Sequence, residues 1–128
     1  MLRIAINGFG RIGRMFLRSL VENPVNNIKV VAINDVANLH QVTHLFKYDS
    51  THGPFKGEVL LDRNYLDVGL GPIEILSQLD AEKLPWQEMQ IDLVVECSGR
   101  FKDKTRESKH ISAGAKRVLI STITDGAD

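Results

Sequence analysis

The chain has 128 residues, a length typical of one domain and too short for two. Its 16 basic and 16 acidic side chains balance, so we expect small molecules or other protein subunits as partners, and neither nucleic acid nor an anionic membrane. Apolar runs are all shorter than the ~20 residues that span a bilayer. Together with the single cysteine, Cys97, this predicts a soluble, cytoplasmic protein without an internal disulfide.

The first motif is a short apolar strand that leads into a glycine-rich turn. Residues 2–6 are mostly apolar, and Gly8, Gly10 and Gly13 then give the pattern G-x-G-x-x-G before a helix that begins near Arg11. Each glycine has a distinct expected role: Gly8 turns the chain, Gly10 admits a pyrophosphate and Gly13 packs the helix against the sheet. The first turn of a helix offers unpaired N–H groups to a phosphate.

A second strand supports this interpretation. Residues 28–34 form an apolar run that ends in Asp35, about twenty residues after the last glycine, where a carboxylate can accept from the ribose 2′-OH of NAD. The alternative is a glycine-rich turn beside an unrelated acidic strand end. The combined spacing favours a dinucleotide site.

The first helix is expected over residues 11–22, and Asn23-Pro24 should end it. We expect one apolar face against the sheet and one basic face. An anion or a carboxylate is expected near Arg11, because a basic residue in the first turn opposes the helix dipole. For Arg18 a solvated surface position agrees with the sequence about as well as such a partner does. The apolar face comprises Ile12, Met15, Phe16, Leu20 and Val21, and the basic face Arg11, Arg14 and Arg18.

Asn38 can cap a crossover helix over residues 39–46. His40 and His44 have the i, i+4 spacing of metal ligands, but without a third ligand they are interpreted as surface histidines. Residues 47–54 are polar, end in Gly-Pro and predict a loop.

Short strands are expected next. The strands at residues 58–62 and 65–68 would form a small antiparallel hairpin, and the strand at residues 73–76 would be the third parallel strand. Residues 84–89 predict a helical turn in which Trp86 covers core. The apolar run 91–97 predicts a buried parallel strand.

A helix over residues 105–113, with Gly114 as its C-cap, and a strand over 117–121 complete the alternation; 122–128 predict no further element. The fold class is therefore α/β, a doubly wound parallel sheet with an antiparallel hairpin insertion. Right-handed crossovers predict the parallel strand order 3-2-1-4-5, with a binding crevice beside the first strand.

Four motifs together resemble the NAD-binding half of glyceraldehyde-3-phosphate dehydrogenase: residues 5–14, 47–53, 96–101 and 114–121. The resemblance implies a Rossmann domain over residues 1–128, truncated before the catalytic domain, whose cysteine and histidine would lie beyond Asp128. It also implies a cytoplasmic, homotetrameric glycolytic enzyme that oxidises a small aldehyde phosphate through a thiohemiacetal, passes hydride to NAD and releases an acyl phosphate.

The resemblance also implies roles for individual residues. Arg11 and Ile12 would touch the pyrophosphate, Asp35 the adenosine ribose, Ser98 and Gly99 the adenine side, and Phe101 and Ser121 the nicotinamide side. Leu79 stands where many relatives have arginine near the adenine, and Ser-Thr-Ile-Thr at 121–124 departs from the usual Ser-Ala-Pro. The implied cofactor-binding set is Asn7, Gly8, Phe9, Gly10, Arg11, Ile12, Gly13, Asp35, Leu79, Ser98, Gly99, Phe101 and Ser121.

Two alternatives remain for the function. Erythrose phosphate dehydrogenase has similar motifs, although Asp35 favours the glycolytic enzyme, and the chain could instead be a dinucleotide-binding or assembly module without chemistry of its own. Cys97 follows a buried strand and is expected to be structural rather than a nucleophile. Glu96, if buried, requires a partner: a loop arginine or a backbone donor.

Overall fold

A computed structural model describes residues 1–37, 39–48, 55, 57–98 and 104–120. The structure contains seven strands, three helices and one short 3₁₀ turn within these ranges. No helix among them is long and apolar enough to cross a membrane. The strands are β1 (Leu2–Asn7), β2 (Ile28–Asn34), β3 (Leu60–Asp62), β4 (Tyr65–Asp67), β5 (Ile73–Leu76), β6 (Leu93–Glu96) and β7 (Arg117–Ile120); the helices are α1 (Arg11–Glu22), α2 (Leu39–Tyr48) and α3 (Lys104–Ser112), and the 3₁₀ turn is Ala81–Lys83.

All seven strands form one sheet in the order β3-β4-β5-β2-β1-β6-β7. The pairs from β5 to β7 are parallel and the hairpin pairs β3–β4 and β4–β5 are antiparallel. This confirms the doubly wound fold class, the parallel order 3-2-1-4-5 and the hairpin insertion. In register, Asn7 at the end of β1 lies between Asn34 at the end of β2 and Glu96 at the end of β6.

The central strands β1, β2 and β6 are buried on both faces, as their continuous apolar sequences require. Neighbouring residues of β1 enter different clusters: Ile6 packs with Leu17 of α1 and Phe46 of α2, whereas Ala5 packs with Trp86 and other residues that follow the 3₁₀ turn. Two layers of helix and turn therefore enclose the sheet and leave its carboxyl edge as the place for a site.

Helix α1 has the predicted bounds, but its buried face is rotated from the predicted one. Gly13 and Leu17, one turn apart, face the sheet, and Met15, on the opposite side of the helix, is 42% exposed. The prediction of Met15 as a core residue was therefore wrong.

The solvated-surface interpretation of Arg18 was also wrong. Its side chain is buried, its Nε donates to Glu22 Oε2 at 2.9 Å, and its guanidinium lies 5.9 Å from the centre of the Phe55 ring. The ring of Phe55, from a later part of the chain, lies over the helix and explains this burial. Helical periodicity alone cannot predict such a contact.

Other element boundaries differ from the predicted ones by one or two residues. Helix α2 continues to Tyr48, two residues beyond the predicted end, and β3 begins at Leu60 because its partner β4 offers only three residues for pairing. Strand β6 is shorter than the apolar run 91–97 because its pairing with β1 covers only Leu93–Glu96. The predicted cap Asn38, loop residues 49–54 and residues 121–128 lie outside the described residues.

The turn that follows the 3₁₀ segment packs against the end of α3. Met89 N donates to Pro85 O at 3.0 Å, as a helical turn requires, and Trp86 is fully buried. Gly114 has φ +116°, and a Cβ there would lie 2.5 Å from the Cβ of Gln87. Both the left-handed conformation and the close approach require glycine, which confirms the predicted C-cap.

Candidate functional site

A pocket of about 170 Å³ lies at the carboxyl ends of β1, β2 and β6, where the crevice was predicted. Backbone and polar side chains form most of its wall, and the last residues of two neighbouring strands form its floor. The lining residues are Asn7, Gly8, Gly10, Asn34, Asp35, Val36, Gln78, Leu79, Cys97 and Ser98.

The three glycines of the motif differ in what requires them. A Cβ on Gly8, which has φ +94°, would lie 2.5 Å from the backbone of Ser98, and a Cβ on Gly13 would lie 2.6 Å from Gly8 O. The protein's own packing therefore requires these two glycines. Gly10 lines the pocket, and a Cβ there would meet no atom of the described residues within 4 Å. A ligand that approaches the backbone explains glycine at this position, so the loop fits a dinucleotide pyrophosphate.

Helix α1 begins directly at this loop. Gly10 is its N-cap and provides no capping side chain, and no acidic residue lies in the first turn. The N–H groups of the first turn and the positive end of the helix dipole are therefore available to an anion. Arg11 is exposed there, while Arg14 Nη1 donates to Phe9 O at 3.0 Å and supports the loop from the helix side.

Asp35 connects the glycine loop to the end of β2. Its Oδ2 accepts from Phe9 N at 2.6 Å, and its Oδ1 accepts from Ala37 N at 2.8 Å. Each carboxylate oxygen can accept a second hydrogen bond, so capacity remains for ribose hydroxyls. The Phe9 side chain is buried and stacks on Phe46 with ring centroids 6.1 Å apart, so any contribution of Phe9 to a ligand is through its backbone.

The opposite wall comes from the segment after β5. Asn34 Oδ1 accepts from Gln78 N at 2.8 Å, and Asn34 Nδ2 donates to Gln78 O at 3.0 Å, so this side chain holds the segment in place. Leu79 lies at the rim with its side chain 73% exposed, close to the exposed Val36. Ile12 lies in the first turn of α1, and its side chain packs against the apolar cluster that contains Cys97. Any contribution of Ile12 to a ligand is therefore through its backbone.

Glu96 is buried, and the structure identifies its partners. Asn7 Nδ2 donates to its Oε1 at 2.7 Å, and Ser98 donates to its Oε2 through N at 2.9 Å and through Oγ at 2.5 Å. His110 Nε2 lies 2.8 Å from Oε1. Burial opposes ionisation, but the hydrogen bonds from His110, Ser98 and Asn7 outweigh it and lower the pKa of Glu96 to about 2.

Cys97 lines the pocket but its thiol is not activated. Burial, reinforced by the charge of Glu96, raises the pKa of Cys97 to about 12. The nucleophilic thiolate is therefore scarce near neutral pH, which supports the structural role predicted for this side chain.

The described part of the chain contains no group of three histidine, cysteine or acidic side chains that could hold a metal ion. His40 and His44 are both exposed on α2, and the ring of His44 packs on Tyr48 at 4.8 Å. Gly99, Phe101 and Ser121 lie outside the described residues, so their implied contacts stay predictions.

The family model described as glyceraldehyde 3-phosphate dehydrogenase, NAD binding domain, matches residues 2–104. The chain belongs to this family. NAD is therefore the cofactor of the domain, and the Rossmann fold class is the family's. 

Relatives named glyceraldehyde-3-phosphate dehydrogenase agree with this assignment. The protein from Xanthobacter flavus is 46% identical over 127 residues, which cover 99% of this chain and 38% of that protein. The protein from Chlamydia pneumoniae is 47% identical over 120 residues, which cover 94% of this chain and 36% of that protein. The chain thus spans little more than a third of the length of these dehydrogenases.

Sequence reasoning missed two polar residues of this NAD-binding domain, Asn34 and Gln78, as parts of the pocket. A signal for Asn34 is present: β1, β2 and β6 are apolar runs that each end in a polar residue, Asn7, Asn34 and Glu96. Parallel strands bring such ends together at one sheet edge. Gln78 binds Asn34 through its backbone N and O. Its residue type therefore could not have predicted its place in the pocket.

Proposed function

We propose that this chain is the NAD-binding part of a phosphorylating glyceraldehyde-3-phosphate dehydrogenase of glycolysis and is not catalytic by itself. In this proposal residues 1–128 form one Rossmann domain, and the catalytic groups belong to a further domain of the whole protein. The observation that carries the proposal is the glycine loop: among its three glycines, only Gly10 is unexplained by packing against the described residues, and it lies at the uncapped start of α1 beside the pocket. When bound, NAD supplies the acceptor for a hydride.

Each residue of the site has a proposed role toward NAD. The backbone from Gly8 to Gly13, including Phe9 and Ile12, and the guanidinium of Arg11 would bind the pyrophosphate, and Asn7 would form the floor. Asp35 would accept from the adenosine ribose. Ser98, Gly99 and Leu79 would contact the adenine side, Leu79 with an apolar surface, and Phe101 and Ser121 the nicotinamide side.

For the whole protein we further propose a cytoplasmic homotetramer that acts on a small aldehyde phosphate. The names of the relatives favour glyceraldehyde 3-phosphate over erythrose phosphate as the substrate. Sedimentation of the natural gene product tests the tetramer, and its rates with the two aldehyde phosphates test the substrate.

Asp35 provides the direct test of cofactor choice. Its carboxylate would accept from a 2′-OH and repel a 2′-phosphate, so NAD should bind more tightly than NADP by ~1–3 kcal/mol. Calorimetric titration of both cofactors measures the difference, and Asp35→Ala should narrow it. Asp62→Ala, which removes an exposed carboxylate from β3, is the matched control and should preserve the preference. Equal affinities in the unaltered chain would refute the role given to Asp35.

The absence of catalysis is tested separately. With NAD, phosphate and aldehyde in excess, we expect no substrate-dependent NADH formation by this chain, because catalysis needs an activated nucleophile held beside the cofactor and the Cys97 thiol is not activated. Cys97→Ser should leave this result unchanged. NADH formation that disappears in Cys97→Ser would contradict the proposal.

A further inference from the structure

Beneath the pocket, Glu96 accepts hydrogen bonds from three side chains and one backbone N–H of the described residues. Asn7, His110 and Ser98 all converge on its carboxylate, and Ser98 donates twice. An ionised carboxylate accepts at about four lone-pair positions and donates nothing. Each of these partners must therefore donate a hydrogen bond to Glu96.

The orientation of His110 follows from its other neighbour. The indole N–H of Trp86 can only donate, and it lies 3.0 Å from His110 Nδ1. Nδ1 must therefore accept, and the ring proton is on Nε2, which donates to Glu96. Both rings are fully buried, so the arrangement is isolated from solvent.

The orientation of the pocket floor follows from the same carboxylate. Because Glu96 only accepts, Asn7 presents Nδ2 to it, and Asn7 Oδ1 then accepts from Asn34 Nδ2 at 2.7 Å. Asn34 Oδ1 is left to accept from Gln78 N. The buried charge of Glu96 at one end and the Gln78 backbone at the other fix the same donor and acceptor sides for both asparagine amides.

The hydrogen bond to Glu96 also decides which ligand groups the Ser98 hydroxyl can contact. A hydroxyl has one proton, and the Ser98 hydroxyl donates it to Glu96, so toward the pocket Ser98 Oγ can only accept. A ligand group that contacts Ser98 Oγ must then be a donor, such as a ribose hydroxyl or an exocyclic amine. An anionic phosphate oxygen, which only accepts, is excluded from this contact.

We infer that Glu96 is a positioning residue that makes Ser98 an acceptor toward the bound nucleotide and so selects a nucleoside hydroxyl or amine at that wall. The inference rests on the proposed role of this pocket in NAD binding. Glu96 itself does not line the pocket; it acts through Ser98 and Asn7, which do.

The substitution Glu96→Gln tests the inference with almost no change of shape. A glutamine that keeps its oxygen toward Asn7 and His110 places its amide nitrogen against Ser98, so the Ser98 N–H loses its acceptor and the Ser98 hydroxyl can turn. The reverse orientation would set the amide nitrogen against two donors, Asn7 and His110, and is less favourable. The hydrogen bonds lost in Glu96→Gln are therefore expected to be those of Ser98.

Calorimetric titration with NAD supplies the measurement. Glu96→Gln and Ser98→Ala should each weaken NAD binding about tenfold, the effect of one lost hydrogen bond to a ligand. The double variant should also be about tenfold weaker, because the same contact cannot be lost twice. Glu88→Gln, an equal change of charge at an exposed position, should stay within twofold of the unaltered chain.

A spectroscopic measurement separates positioning from general loosening. In proton–nitrogen NMR spectra, Glu96→Gln should move the Ser98 amide resonance and leave the Trp86 indole resonance in place, because the bond from Trp86 to His110 is retained. Large shifts of both resonances would overturn the inference.

Affinity measurements give four further outcomes. NAD binding by Glu96→Gln within twofold of the unaltered chain, or losses that multiply to about a hundredfold in the double variant, would overturn it. If Glu96→Gln fails to fold, Ser98→Ala decides alone, and unchanged NAD affinity in that variant overturns the inference. Failure of the unaltered chain to bind NAD would refute the proposed function, and the inference with it.

Discussion

The buried charge of Glu96 makes the stability of this domain depend on acid in a calculable way. The folded-state pKa is about 2, whereas the ordinary value is 4.5. Between these two values the unfolded chain binds a proton at Glu96 and the folded chain does not. Acid therefore favours unfolding: the stabilisation is complete above pH 4.5 and is lost as the pH falls toward 2.

The size of the effect follows from the two pKa values. Each tenfold change in proton affinity corresponds to about 1.4 kcal/mol, so a pKa lowered from 4.5 to about 2 corresponds to about 3 kcal/mol of unfolding free energy. A small domain has a total of about 5–15 kcal/mol, so the loss should be plainly visible.

Urea denaturation of the unaltered chain and of Glu96→Gln, at several pH values from 7 to 2, isolates this group from the other carboxylates. The advantage of the unaltered chain should be greatest above pH 4.5 and should shrink by about 3 kcal/mol near pH 2, where Glu96 is protonated in the unfolded chain and about half protonated in the folded chain. Glu88→Gln should follow the unaltered chain throughout. A difference between the unaltered chain and Glu96→Gln that does not vary with pH would refute the reasoning.

Two further predictions concern packing and association. Gly13→Ala places a Cβ 2.6 Å from Gly8 O, so it should lower the unfolding free energy by ~1–3 kcal/mol and weaken NAD binding; an unchanged melting temperature would contradict this. Strand β7 pairs only with β6 among the described strands and carries Leu119, 56% exposed, so the chain should self-associate with rising concentration, and Leu119→Lys should reduce this association in light scattering. A strictly monomeric chain with residues 117–128 protected from hydrogen exchange would show that this edge is covered.

The order of the fold was predictable because each parallel strand is a continuous apolar run and right-handed crossovers leave one arrangement for them. The glycine loop and Asp35 were predictable for a related reason, since their chemistry is local to one turn and one strand end. Three strands that are neighbours in the sheet also end in polar residues, a signal that could have marked the edge at which the pocket lies.

The remainder depends on contacts between distant residues. One partner of Glu96 is His110, fourteen residues later, and this pairing depends on how far α3 is rotated about its axis. The burial of Arg18 depends on Phe55, and the exposure of Met15 depends on Gly13 facing the sheet. Periodicity indicates that a helix has two faces, but tertiary packing decides which residues lie at their boundary.

Trp86 is the single tryptophan of the chain, and its indole N–H points at His110 in the interior. Its intrinsic fluorescence therefore originates from one known position, connected by hydrogen bonds through His110 and Glu96 to Ser98 at the pocket wall. Emission from an unlabelled sample therefore reports the integrity of this one part of the core, and unfolding can be followed at a single side chain.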